Sequence, residues 1–263
     1  HNYYGGDARG YVEAAKLADA AGIDQVVFTD HVVMGEHTDR YPYGPFPLPP
    51  SAPWFEPLTL LAAIAAVTTR IELATGILIA PLRPAAVLAK MLATLDTLAP
   101  GRLQIGIGTG WQREEFDAVG LDFDKAWTLL DDGVRAMNVL WREAPASFAS
   151  STVNFEAVYS TPFPREGSIP LWYGVKPTPR QAQRIAELGA GWIPISTDFD
   201  YVRDGVARIR EAFEAAGRDP ATLQVRAHLP MHFDATGKGN LERTIADIPA
   251  MLEAGATVVE FEH

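Results

Sequence analysis

Apolar and polar positions along the 263-residue chain follow two alternating periods. Short continuous apolar runs of strand length recur at residues 25–29, 71–79, 103–107, 170–174, 191–195, 223–227 and 257–261. Between them, apolar residues return every three or four positions, as on one face of a helix. Tyr11, Ala14, Ala15, Ala18 and Ala21 make the first such face, with Asp7 placed to cap its start and Gly22 its end. A helix over about 56–69 follows the second break. Another starts at Pro84, turns Val87, Leu88, Met91, Leu92, Leu95 and Leu98 toward a core, and closes at Pro100 and Gly101. The most amphipathic pattern spans 124–141, with Leu129, Leu130, Val134, Met137, Leu140 and Trp141 on one side, and further helices are predicted over 179–188, 199–216 and 241–254.

This steady β, α, β, α order predicts an α/β fold with a parallel sheet and crossover helices. Seven strands are read, and an eighth before His1 would complete a (β/α)8 TIM barrel, the expected architecture for a single domain over residues 1–263. The chain opens on His1 rather than Met and closes on His263 directly after an apolar strand, so the first strand and last helix read as trimmed. A doubly wound open sheet is the competing architecture. It places a phosphate fingerprint after its first strand, and no GxGxxG occurs here.

Two segments break the alternation. Residues 32–57 carry seven prolines with Tyr41, Tyr43, Phe46, Trp54 and Phe55, a composition that excludes regular structure and predicts a lid. Residues 143–168 are polar and turn-rich and read as a β-hairpin or irregular excursion between strands four and five.

Composition narrows the function. With 48% hydrophobic and 21% charged residues the chain can bury a sizeable core. A net charge of -11 and the lack of any basic run argue against nucleic acid as partner. No stretch approaches the ~20 apolar residues of a membrane span. Cysteine is absent, which removes disulfides, thiolate metal sites and a cysteine nucleophile, and fits a cytoplasmic location.

In a barrel of this kind the active site lies at the C-terminal ends of the strands. Those positions hold Asp30 and His31, residues 75–79, residues 106–111, residues 173–176, residues 194–197 and residues 228–232. The set is rich in glycine, aromatics and histidine. Its acids are Asp30, Glu114, Glu115 and Asp198, too few and too scattered for the facing carboxylates of glycoside hydrolysis. A metal-dependent TIM-barrel hydrolase is the better rival, since His1, His31, His228 and His263 fall near strand termini, yet no strand carries a closely spaced histidine pair. His31 also has a structural reading, with Asp30 simply orienting it. Glu114 and Glu115 read as acids that complement the dipole of a short helical turn. In QIGIGTGW at 104–111, Gly106, Gly108 and Gly110 let the backbone approach a flat or anionic ligand, and Trp111 is placed to line a pocket.

Taken together, TDHV at 29–32, TGILIAPLRPAAVLAKMLATLDTLAPGR at 75–102 and GIGTGWQREEFDAVG at 106–120, with IPLWYG and GWIPI downstream, resemble the bacterial luciferase-like flavin and deazaflavin oxidoreductases. The resemblance covers nearly the whole chain and is strongest to the branch using coenzyme F420. It implies the barrel with its excursion, a non-prolyl cis peptide at Gly76–Ile77 whose bulge supports the cofactor, and a homodimer. By the same resemblance His31 is the catalytic residue. Asp30, Thr75, Gly76, Ile77, Gly106, Gly108, Thr109 and Gly110 contact the cofactor ring system and its chain, Gly174, Val175 and Lys176 face its phosphate, and Trp54 and Trp111 line the substrate pocket. Two departures stand out. Relatives carry Gly-Gly where this chain has Gly174-Val175, and Trp111 occupies the position of a glutamate acid in the sugar-phosphate dehydrogenases.

The expected function is therefore hydride transfer between F420 and a small-molecule substrate. An FMN-dependent luciferase-like monooxygenase is the alternative within the family, and a non-catalytic cofactor carrier is the alternative of another class.

Overall fold

A computed structural model describes residues 6–261 of the chain. The chain divides into two units, one ending at Ile169 and the other starting at Pro170.

In the first unit, helix α1 (Ala8–Ala21) begins where the Asp7 carboxylate accepts from the Arg9 N–H and ends at Gly22 in the left-handed conformation, φ 86°. Strand β1 (Gln25–Phe28) leads into the proline-rich loop. Helix α2 (Pro57–Ala65) starts under the Glu56 side chain, which accepts from the Thr59 N–H, and a proline at its first turn lacks only an amide that had no partner there. Strand β2 (Glu72–Ile79), helix α3 (Ala85–Leu98) and strand β3 (Leu103–Gly108) follow, then the short helix α4 (Arg113–Ala118) and helix α5 (Ala126–Leu140). Strands β4 (Ala146–Ala149) and β5 (Asn154–Val158) pair antiparallel, the hairpin expected of the excursion.

Strands β1, β2 and β3 run parallel, Gln25 beside Glu72 and Phe28 beside Thr75. Between β2 and β3 the register holds from Leu73–Leu103 to Thr75–Ile105, then slips so that Leu78 faces Ile107. One extra residue on β2 makes a bulge, and the Gly76–Ile77 peptide within it is cis, at the predicted bond. Leu73, Ala74, Leu78 and Ile79 are buried, as are Leu88, Leu92 and Leu95 of α3. The Trp141 indole N–H donates to the Ala89 carbonyl at 3.0 Å, tying the end of α5 to α3. At the N-terminal ends of the strands, the Gln25 amide donates to Glu72 and Gln104, and Gln104 donates to Glu72 at 2.7 Å.

The second unit holds β6 (Leu171–Gly174), α6 (Pro179–Leu188), β7 (Gly191–Ile193), α7 (Phe199–Ala215), β8 (Gln224–His228), α8 (Leu241–Ile245), α9 (Ile248–Glu253) and β9 (Val258–Glu260), with all four strands parallel to their neighbours. The single helix predicted over 241–254 is two, because Pro249 in the first turn of α9 cannot continue the amide ladder of α8. Large rings on glycines fix the packing here. A Cβ on Gly191 would stand 2.7 Å from the Trp172 ring and 2.8 Å from the Gln224 carbonyl, one on Gly189 would stand 2.9 Å from the Tyr173 ring, and one on Gly205 of α7 would overlap the Trp192 ring.

The two units thus contain three and four parallel strands, the seven read from the apolar runs. Among the described residues there is no eighth parallel strand to close the expected (β/α)8 barrel. The Trp192–Gly205 contact has a measurable consequence. Gly205→Ala forces a fully buried indole to move and is expected to lower stability by about 1–3 kcal/mol, seen as an earlier urea midpoint at unchanged slope.

Candidate active site

The site forms where β1 ends. Asp30, 3% exposed, is held on three sides. The Ile79 N–H at the end of β2 donates to its Oδ2 at 2.9 Å, and the Arg83 guanidinium grips both oxygens at 2.7 and 3.0 Å. Arg83 also donates to Glu56 Oε1 at 2.8 Å. Burial pulls the Arg83 pKa down, but the two carboxylates outweigh it and the net shift is upward. Burial likewise raises Glu56, and its bonds from Thr59 and Arg83 reverse the sign, so the carboxyl sits below its ordinary range.

His31, the next residue, is oriented by a carboxylate other than the expected one. Its Nδ1 lies 3.1 Å from Glu115 Oε2, while Glu115 Oε1 accepts from the Val32 N–H at 3.0 Å. Asp30 is committed to Arg83 and Ile79. Glu114 and Glu115 do stand in the first turn of α4, but Glu115 is 0% exposed and faces inward beside Phe116. Two more side chains of this stretch hold the start of the loop. Gln112 Oε1 accepts from the Gly35 N–H at 2.7 Å, and Arg40 reaches Glu114 at 3.5 Å. A Cβ on Gly35 would lie 2.8 Å from the Glu114 side chain, which would have to shift to admit it.

The proline-rich loop closes over the histidine as an aromatic lid. The Trp54 ring meets His31 edge-on with centroids 4.6 Å apart, Phe46 at 6.0 Å and Trp111 at 6.2 Å. Tyr41 packs against Trp111 at 5.3 Å and Phe46 at 5.2 Å. Burial pushes the Tyr41 phenol up, with Tyr43 adding to the shift, so this wall is uncharged at neutral pH. Trp54 and Trp111, predicted to line a pocket, both touch this cluster.

Behind it lies the glycine ladder. Gly106 and Gly108 are buried in β3, and the Gly106 carbonyl accepts from the Thr75 hydroxyl at 2.7 Å. Gly110 has φ 71°, and a Cβ there would meet Ile79 at 2.9 Å, so both conformation and space demand glycine. Thr109 is half-buried beside it. Gly76 and Ile77, at the bulge, are half-exposed where their β2 neighbours Thr75 and Leu78 are buried. The structure therefore brings Asp30, His31, Trp54, Trp111, the bulge and the ladder into one unit. Gly174, Val175 and Lys176 stand in the other unit. There the buried Val175 gives its carbonyl to the Trp192 indole N–H at 2.8 Å, Lys176 is exposed, and Thr178 caps α6.

His228 lies 3.9 Å from Glu260, and His232 pairs with Asp247 at 2.7 Å. Among the described residues no group of three or more His, Cys, Asp or Glu side chains is placed to hold a metal ion, and His1 and His263 lie outside them. No helix among the described residues is long and apolar enough to cross a membrane.

Nothing in the sequence singles out Arg83 or Gln112, and Glu115 reads there only as an acid at the start of a helical turn. Glu115 and His31 are 84 positions apart, beyond any local pattern, and the available signal was the apolar Phe116 beside an acid, which turns α4 inward.

Residues 1–251 match the luciferase-like monooxygenase family, and the chain belongs to it. An uncharacterised protein of Mycobacterium tuberculosis (strain ATCC 25618 / H37Rv) is 34% identical over 164 residues, 62% of this chain and 58% of that protein, so the match spans little more than half of the relative. An F420-dependent glucose-6-phosphate dehydrogenase of Kineococcus radiotolerans is 32% identical over 253 residues, 91% of this chain and 70% of the dehydrogenase. The fold is similar to that of an F420-dependent secondary alcohol dehydrogenase in complex with an F420-acetone adduct, with a TM-score of 0.78 at 17% identity over 97% of this chain and 88% of that one.

Two measurements test the ion network. Arg83→Leu strands a buried carboxylate and is expected to cost about 3–5 kcal/mol, and adding Asp30→Asn recovers part of it, with a coupling of about 0.5–3 kcal/mol in a double-mutant cycle. Because the Glu56 carboxyl is lowered in the folded state, its contribution is complete above the unfolded value of ~4.3 and is lost as pH falls through the lower folded value. Glu56→Gln is expected to flatten that part of the acid stability profile, followed by urea unfolding between pH 7 and pH 3.

Proposed function

We propose that this chain is an oxidoreductase moving a hydride between coenzyme F420 and a small organic substrate, with His31 handling the proton. The observation that carries the reading is the placement of His31. Its imidazole, with Glu115 at Nδ1 and the rings of Trp54, Phe46 and Trp111 packed edge-on against it, lies at the end of β1, in the same unit as the half-exposed bulge of β2 and the glycine ladder of β3. Those elements fit a flat ring. Thr75, Gly76, Ile77, Gly106, Gly108, Thr109 and Gly110 would hold it with little side-chain bulk, and Asp30 fixes the ends of β1 and β2 around it. Gly174, Val175 and Lys176 would take the phosphate, with the capped start of α6 behind them.

Bound F420 supplies the hydride acceptor, or in reverse the donor. His31 accepts the hydroxyl proton of an alcohol substrate as its carbon becomes a carbonyl, and returns it in the opposite direction. The lid excludes water and offers uncharged aromatic surface, which suits a moderately apolar substrate. Trp111 stands where the sugar-phosphate dehydrogenases of the resemblance carry an acid, so glucose 6-phosphate oxidation is not transferred from the Kineococcus relative. The reading takes the chain as one (β/α)8 unit, dimeric as the resemblance implies and cytoplasmic in keeping with the absence of cysteine. An FMN-dependent monooxygenase is the second reading, favoured by the family's description.

Titration of the purified protein with F420 and with FMN, followed by absorbance or fluorescence, separates the two. F420 binding with turnover of secondary alcohols or ketones supports the first reading. FMN binding with oxygen consumption supports the second, and tight binding without turnover marks a carrier. His31→Ala is expected to keep F420 affinity and lower turnover by about 10²–10⁴-fold; an unchanged single-turnover rate excludes His31 from proton transfer.

A further inference from the structure

We infer that Glu115 is the positioning residue of His31, fixing the proton on Nδ1 so that Nε2 is the nitrogen that exchanges a proton with substrate. The inference rests on the reading of His31 as the proton-transfer group.

Four observations lead to it. Glu115 is fully buried, so no water competes for its oxygens. An ionised carboxylate only accepts, and its two oxygens are assigned to adjacent residues, Oε1 to the Val32 N–H and Oε2 to His31 Nδ1. The buried cation of the region is not available to it, because the Arg83 fork is spent on Asp30 and Glu56, and Arg40 goes to Glu114. A bare Nδ1 facing that carboxylate would set lone pair against lone pair in a dry site, at the cost of an unsatisfied buried charge. With Glu115 as the carboxylate, the bond is made by an Nδ1–H donating to Oε2. In the neutral ring this leaves the Nε2 lone pair free to accept, and in the imidazolium it leaves an Nε2–H to give. The Val32 bond adds a second constraint, holding the backbone next to His31 so that the ring cannot turn away with the lid.

Glu115→Gln separates this role from simple packing. Glutamine keeps the shape and still accepts from Val32, but its amide nitrogen faces Nδ1 as a donor. The ring must then accept there and carry its proton on Nε2, the inversion produced when a triad aspartate becomes asparagine. In ¹⁵N-histidine-labelled protein without cofactor, at a pH that leaves the ring neutral, two-bond ¹H–¹⁵N spectra report the tautomer of His31, identified by its loss in His31→Ala. Wild type is expected to show Nδ1–H and Glu115→Gln Nε2–H. Turnover in Glu115→Gln is expected to fall by about 10²–10⁴-fold, with F420 binding unchanged within about twofold.

Nε2–H in the wild type overturns the proposal, as does a tautomer that ignores the substitution, or full turnover with an inverted ring. The wild-type spectrum alone decides if the variant does not fold. The spectra need neither cofactor nor substrate, so failure of the hydride-transfer reading leaves them standing and their failure leaves cofactor binding and turnover to be judged separately.

Discussion

One guanidinium holds three chain segments together. Arg83 meets Asp30 with two parallel bonds and Glu56 with a third, and Asp30 also receives the Ile79 amide. The end of β1, the end of β2 and the start of α2 are thereby fixed to one another by charge-assisted bonds, the Asp30–Arg83 pair nearly buried, where such bonds are strongest and their loss most costly, and the Glu56 arm more open to solvent. Everything proposed for the site depends on this clamp. It sets the backbone from which His31 projects and it pins Ile79, against which Gly110 closes.

A second layer of control comes from a stretch four residues long. Gln112, Glu114 and Glu115 each hold a different part of the loop that follows His31, through Gly35, Arg40, and His31 with Val32. Backbone amides are the donors in two of these contacts, so the geometry does not depend on the flexible ends of long side chains. The exposed Arg40–Glu114 pair adds little by comparison, as surface ion pairs do.

Much of the fold was legible in the chain because period and punctuation agreed. Asp7 and Gly22 bracket α1 as cap residues should, Pro84 precedes α3, and each apolar run became a strand. The bulge on β2 was visible through Gly76, a glycine interrupting an apolar strand. Where reading failed, distance in sequence was the cause. The structural alternative for His31 offers its immediate neighbour as orienting acid, whereas the fold supplies one from 84 positions away. Likewise nothing local marks Arg83 as the partner of Asp30, and the break between α8 and α9 was missed because Leu241, Ile245, Ile248 and Met251 keep a helical period across it.

The lid has a root and a tip with different freedoms. Its root, from Val32 to Arg40, is fastened to α4 and its lead-in at Val32, Gly35 and Arg40. The tip beyond it touches the histidine mainly through the rings of Phe46 and Trp54, among exposed prolines whose own conformation is stiff. Rewriting the stretch between Tyr41 and Trp54 would therefore change the aromatic surface over His31 while leaving the Glu115 and Arg83 bonds in place. The tip is thus the segment to exchange when the surface above the histidine is to be reshaped, because the bonds that hold the root are made elsewhere.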